Sequence, residues 1–280
     1  MRASVLAAVL LLAAAPGHGA PLPGRVASLL LPEFSQPFDF TPAGADGVYV
    51  LEDLQKRVLR GHPGATALPL AGLRQPLALA RDPDGLLHVV DTLDSGELGL
   101  RTYRADQALR AVPLQGEVLP TRPVSAAAGD GILWLVERTP PRLYLYAYDG
   151  ASLGWVDLAE VARSPFAVAL GAAGEAFVTD PMGPTVLSFS PAGEYLGPIA
   201  LEGTGITRPT GVAADRNGRV WVSDGVIGHV VALDPAGAHS QLEERGKLLR
   251  FRSPLRLAWR PGALWVLEAD SGRVRIVELE

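Results

Sequence analysis

The chain has 280 residues, 25 basic and 30 acidic, giving a formal net charge of −5 with histidines neutral. A mildly acidic chain with no basic stripe or run of aromatics beside arginines excludes a nucleic-acid surface. It has no cysteine, so neither disulfides nor thiolate metal centres contribute.

Residues 1–19 read as a secretory signal. Arg2 gives a positive start, Val5–Ala15 is apolar, and Gly17 and Gly19 put small residues where a signal peptidase reads, with cleavage expected after Gly19. The apolar stretch is too short for a membrane anchor, which needs roughly 20 such residues. No later segment is long enough to span, and no cysteine follows that could carry a lipid. Lys56 and Lys247 are the only lysines in an Ala-, Arg- and Leu-rich chain, which suggests a GC-rich bacterium. The expected compartment is the periplasm or the exterior.

Past the signal, one pattern recurs. Pro37, Pro76, Pro123, Pro165, Pro209 and Pro254 step by about 40–47 residues. Each opens an apolar run, as in Pro76-Leu77-Ala78-Leu79-Ala80, and proline suits the first residue of a strand, where no ladder donor is required. A tight turn follows, such as Pro83-Asp84-Gly85 or Arg216-Asn217-Gly218, because Asp-Gly and Asn-Gly tolerate positive φ. The second run ends on a carboxylate: Glu52, Asp91, Glu137, Asp180, Asp224 and Glu268. Three residues before each stands Tyr49, His88, Trp134, Phe177, Trp221 or Trp265. Alternating large apolar and β-branched residues mark a strand buried on both faces. A third run (Val186-Leu187-Ser188-Phe189, for example) and a weaker fourth complete the unit.

Four strands per unit without helical periodicity predict propeller blades. The expected architecture is all-β: one six-bladed β-propeller domain over 20–280, with blade cores near 37–70, 76–114, 123–158, 165–201, 209–250 and 254–280. The chain ends after the third strand of its last repeat. Residues 25–31 are therefore expected to complete that blade and close the ring, removing two open sheet edges.

Pro209 to Asp215, Asn217 to Asp224 and Val230 to Gly237 together resemble the NHL repeat, and the other five copies match it more loosely over nearly the whole chain beyond the signal. The resemblance implies a propeller. It implies no particular activity, since similar propellers serve as binding and as enzymatic platforms.

The start of each first strand and the end of each second strand share one face, the top. The six carboxylates ring it, and Arg74, Arg122, Arg163, Arg208 and Arg252 stand next to the prolines, with Gln36 in the first repeat. Pairing within each blade satisfies both rings; guanidiniums left over would bind an anionic group. Two residues past each proline lie Asp39, Ala78, Ser125, Ala167, Gly211 and Arg256, expected at the channel. The charged two fall in repeats one and six, so Asp39 and Arg256 are expected to pair across the closure seam. The candidate ligand-binding set is thus Asp39, Arg74, Arg122, Arg163, Arg208, Arg252 and Arg256.

No catalytic constellation emerges. Gly-x-Ser-x-Gly and phosphate-loop motifs are absent. The loop from Asp91 to Glu97 has acidic residues without EF-hand spacing. His88 reads as a packed replacement for an aromatic. The expectation is a monomeric binding module, without a cofactor, for a protein or small anionic ligand. The alternative is a metal-dependent lactonase- or esterase-like hydrolase resembling gluconolactonase-type propellers, with Glu33, Asp39 and Asp180 as the available carboxylates for a divalent metal. That family uses an asparagine ligand, and the only asparagine here, Asn217, lies in a bottom turn. Streptogramin-lyase propellers call for a channel histidine as base, for which His229, read as a loop residue, is the available candidate.

Overall fold

A computed structural model describes residues 19–27, 31–45 and 47–279. The expected signal segment lies outside them except for Gly19, whose amide donates to the His239 carbonyl at 2.7 Å. Among the described residues there is no helix long and apolar enough to cross a membrane.

The described residues are strands joined by turns and short connections. After β1 (Leu22–Val26), an antiparallel sheet forms from β2 (Pro37–Ala43), β3 (Gly47–Glu52), β4 (Arg57–Gly61) and β5 (Leu68–Pro69). The next comprises β6 (Ala78–Arg81), β7 (Leu87–Thr92), β8 (Leu98–Arg104) and β9 (Gln107–Pro113). A third has β10 (Pro123–Gly129), β11 (Ile132–Glu137), β12 (Arg142–Ala147) and β13 (Ser152–Asp157). A fourth has β14 (Ala167–Leu170), β15 (Ala176–Asp180), β16 (Thr185–Phe189) and β17 (Tyr195–Ile199). The remaining strands are β18 (Pro209–Ala214), β19 (Val220–Asp224), β20 (His229–Leu233), β21 (His239–Glu244), β22 (Lys247–Leu248), β23 (Pro254–Arg260), β24 (Ala263–Glu268) and β25 (Arg273–Leu279).

These last strands are not two separate sheets, as the repeat predicts. They join into one nine-stranded sheet, in which β1 pairs antiparallel with β25 and, through Leu22 and Pro23, parallel with β21. One N-terminal strand thus covers two edges. The closing strand is also earlier than the apolar run 25–31 suggested. It spans Leu22–Val26, and Ser28, Leu29 and Leu30 lie outside the described residues. The flanks of that run pack inward instead: Ala27 and Leu31 lie against the core around Phe34, Val50 and Trp265. The apolar signal there reports packing between sheets, which periodicity alone does not separate from a strand.

The sheets are arranged as a β-propeller of four-stranded blades. β2 packs beside β6, then β10, β14, β18 and β23 follow in turn, and β23 returns to β2. Neighbouring sheets bury their faces against each other. Trp134, Leu143 and Leu145 of the third sheet meet Val178, Leu187 and Phe189 of the fourth. Where β18 and β23 close in at the axis, Gly211 leaves no room for a side chain. A Cβ on Gly211 would stand 2.8 Å from the Leu257 amide nitrogen and 2.9 Å from the Arg256 carbonyl carbon.

The seam is built like an ordinary joint. Phe251 donates its amide to the Gly228 carbonyl at 3.0 Å, and Phe34 donates to the Gly272 carbonyl at 2.7 Å. Gly228 and Gly272 have φ of +74° and +64°, and a Cβ at either would lie within 2.3 Å of the partnering phenylalanine's carbonyl oxygen. Equivalent glycines in successive repeats make the same contact, one inside the chain and one across the closure.

Candidate binding site at the upper channel mouth

The carboxylate ring has a definite task. Each acid, at the end of a second strand, reaches back to the chain just before the first strand of the same repeat and accepts its amides. Asp91 takes the amides of Arg74 and Gln75, Glu137 those of Thr121 and Arg122, and Asp180 those of Arg163 and Ser164. Asp224 takes Thr207 and Arg208, Glu268 takes Arg252, and Glu52 takes Ser35. Each of the six is buried. Burial pushes the Asp224 carboxyl up, but amides of Ile227, Thr207, Arg208 and Val226 outweigh it and hold the group below its ordinary range. Glu137 is held low in the same way, burial being outweighed by Thr121, Arg122 and Tyr144.

The arginines next to the prolines therefore reach these carboxylates through their backbones, not through their guanidiniums. Where a guanidinium does pair with a ring acid, it comes from the third strand: Arg57 with Glu52, Arg101 with Asp91, Arg275 with Glu268. The side chains of Arg163, Arg208 and Arg252 are exposed and have no ion pair among the described residues. Arg74 stands apart, over the Leu93 and Asp94 carbonyls.

The structure brings Asp39 and Arg256 together. A register shift follows the proline in β2, β10 and β23, falling between Pro37 and Asp39, Pro123 and Ser125, and Pro254 and Arg256. Such bulges re-aim side chains at a strand end. Arg256 Nε lies 3.4 Å from Asp39 Oδ1, the side chains only 4% and 6% exposed. The expected pair is present, and it does more than latch the seam. Arg256 crosses the channel and donates from Nη2 to the Val124 carbonyl at 2.9 Å. Its guanidinium lies 3.8 Å from the Phe166 ring centroid and 5.1 Å from that of Phe38.

Two buried polar atoms here have no hydrogen-bond partner, Asp39 Oδ2 and Arg256 Nε, and a third, Arg138 Nε, is close by. The Arg138 guanidinium also lies over Phe166, 4.9 Å from the ring centroid. Burial raises the Asp39 carboxyl to about 6 despite the attraction of Arg256. Burial also lowers Arg256 to about 10, against the pull of Asp39. Arg138 is lowered by burial and then by the charge of Arg122. A cavity of about 340 Å³ opens above, lined by Phe38, Leu77, Val124, Arg122, Arg138 and Asp53 among others. Arg122 Nη2 is 3.7 Å from Asp53 Oδ2. The pocket thus has an apolar wall and a cationic one.

Arg138 was missed by the sequence reading. A signal existed: the residue after each ring carboxylate is Asp53, Thr92, Arg138, Pro181, Gly225 or Ala269, and only one is basic. The apolar wall also has a register, since Phe38, Leu77, Val124 and Phe166 each follow a repeat proline.

The three carboxylates considered for a metal are not brought together. Glu33 pairs with Arg273 on the outside, Asp180 holds backbone amides, and Asp39 faces Arg256. Among the described residues no group of three or more His, Asp or Glu side chains could hold a metal ion. The residues present do not fit that group. His88 is a packed core residue, bonded to Asp82 and Thr102, its ring tilted against that of Tyr148 at 4.1 Å. His229 begins β20, where it was expected in a loop, and its imidazole is lowered by burial and by Arg250.

No protein-family model and no curated sequence matches the chain. Solved structures do. A catalytically inactive virginiamycin B lyase from Staphylococcus aureus, with quinupristin, is similar at TM-score 0.65 and 12% identity, covering 93% of this chain and 95% of that one. A gluconolactonase from Xanthomonas campestris is similar at TM-score 0.64 and 15% identity, covering 96% and 99%. YCF48 bound to the D1 peptide is similar at TM-score 0.53 and 17% identity, covering 90% and 81%. At these identities the likeness establishes the β-propeller fold and leaves the chemistry to the residues of this chain.

Proposed function

We propose that this propeller is a binding module whose upper channel mouth takes an anionic group attached to an apolar body, on a small ligand or on a partner protein. The observation that carries the reading is a surplus of positive charge: the buried Arg256, offset by Asp39, and the half-buried Arg138 both lie over Phe166, while Arg138 Nε and Asp39 Oδ2 have no hydrogen-bond partner. Buried polar groups without partners cost free energy unless something satisfies them. A planar carboxylate suits a guanidinium fork. Phe38, Leu77 and Val124 supply the wall for the apolar body.

The finer architecture belongs to the same proposal: NHL-like blades, six in number, over 20–280, in a protein exported by residues 1–19 to the periplasm or beyond. The recurring proline and carboxylate positions and the matching glycine contacts at Gly228 and Gly272 support the count. The gluconolactonase and lyase neighbours favour a hydrolase or lyase alternative, which here lacks a gathered ligand set for a metal.

Phenylacetate and phenylacetamide provide the test, being alike in shape and different in charge. A ligand present at about 100 times its dissociation constant stabilises the folded state by about 2.7 kcal/mol. The thermal midpoint is expected to rise with phenylacetate, to stay put with the amide, and to lose its response in Arg138→Ala. Equal effects of acid and amide, or an unaltered response in Arg138→Ala, would contradict the proposal.

A further inference from the structure

The opposite mouth of the channel carries a second set of cations. We infer that it is a separate site for small multivalent oxyanions, carrying two or more carboxylate or phosphate groups. The bowl there has a volume of about 430 Å³ and is lined from the lower ends of β2, β6, β10, β14, β18 and β23. It shares no residue with the upper cavity.

Arg81, Arg216 and Arg260 face it. Two are held in place by carbonyls: Arg81 Nε donates to Gly85 at 3.2 Å, and Arg260 Nη1 donates to the Gly44 oxygen. Neither carbonyl neutralises a charge. Arg216 is exposed and makes no ion pair among the described residues. Two of the nearby acids are already engaged. Asp82 binds His88 and the Leu86 amide, and Asp215 binds Arg219, the Asn217 amide and the Trp221 indole. Asp130, on the rim, is the remaining one. Burial and the charge of Arg81 lower the Arg260 guanidinium, so these like charges sense each other. An anion between them relieves that repulsion.

A neutral donor completes the set. Trp259 lines the bowl, stacks on Trp221 at 5.9 Å, and keeps its indole Nε1 buried without a hydrogen-bond partner. Guanidiniums from repeats two, five and six around one opening call for a ligand with more than one anionic group.

Citrate and pyrophosphate are the probes, titrated into the full chain by calorimetry, with tryptophan emission as a second readout. Saturable binding of either supports the site: citrate alone identifies a carboxylate ligand, pyrophosphate alone a phosphate ligand. Arg81→Ala should weaken it about tenfold or more, as loss of a charge-assisted contact does. Arg216→Ala, at an exposed position, guards against a folding defect and should weaken it too. Trp259→Phe should abolish the emission change. Arg138→Ala, at the other mouth, should leave the affinity within about twofold. No saturable signal from either probe, or binding unchanged in both Arg81→Ala and Arg216→Ala, overturns the inference. Because the two mouths share no residue, failure here leaves the upper site standing, and the reverse.

Discussion

Asp39 carries an ionisation that the upper mouth senses. Its pKa is raised from 3.8 to about 6, so between those values the folded state holds a proton that the unfolded chain releases. Its contribution to stability therefore falls as pH rises from about 4 to about 6, and is constant above. Asp224 and Glu137, held low, act in the opposite sense and lose their contribution only below the ordinary carboxylate range. Urea midpoints across pH 4–7 should show the Asp39 decline, and Asp39→Asn should flatten that segment. A wild-type-like decline in Asp39→Asn would assign the titration to another group. Arg256→Ala is the harsher change. It leaves a buried carboxylate unpaired, which costs about 3–5 kcal/mol unless that group neutralises.

Among the elements, the segment before each first strand owes its shape to the acid that ends the second. Asp224 accepts from Thr207 twice, and from Arg208, Val226 and Ile227. Asp224→Ala leaves these donors unsatisfied at a cost of about 1–3 kcal/mol for each that stays buried. The thermal midpoint should drop by about 6 °C or more, with less loss in Asp224→Asn, which retains one acceptor. An unchanged midpoint in Asp224→Ala would show that the loop holds without its acid. This arrangement was half legible. The proline-to-carboxylate spacing marks the strands and their shared face. It does not say whether an acid takes a neighbour's guanidinium or its backbone amide, because that depends on loop curvature, which residue types do not encode. Arg138 escaped for a related reason: its importance comes from Phe166, a residue of the next repeat, over whose ring its guanidinium lies. The pairing of Asp39 with Arg256 was legible, since the repeat fixes depth in the channel and chain closure fixes adjacency.

For the whole molecule, closure depends on β1. It covers the edges of both β21 and β25. A chain beginning at Ala27 should expose these edges, lower the thermal midpoint and associate at high concentration, which light scattering would detect. A truncated chain that stays monomeric at the original midpoint would contradict that role. With the ring closed, residues far apart in sequence, such as Val124 and Arg256, meet at the mouth. The upper-mouth account is tested most directly by the dissociation constant of phenylacetate at pH 5.5 and 7.5, in the wild type and in Asp39→Asn. Protonating Asp39 removes the one negative charge beside Arg256, so affinity should be higher at pH 5.5 in the wild type and independent of pH in Asp39→Asn. Affinity that is independent of pH in the wild type, or equally pH-dependent in the variant, would contradict it.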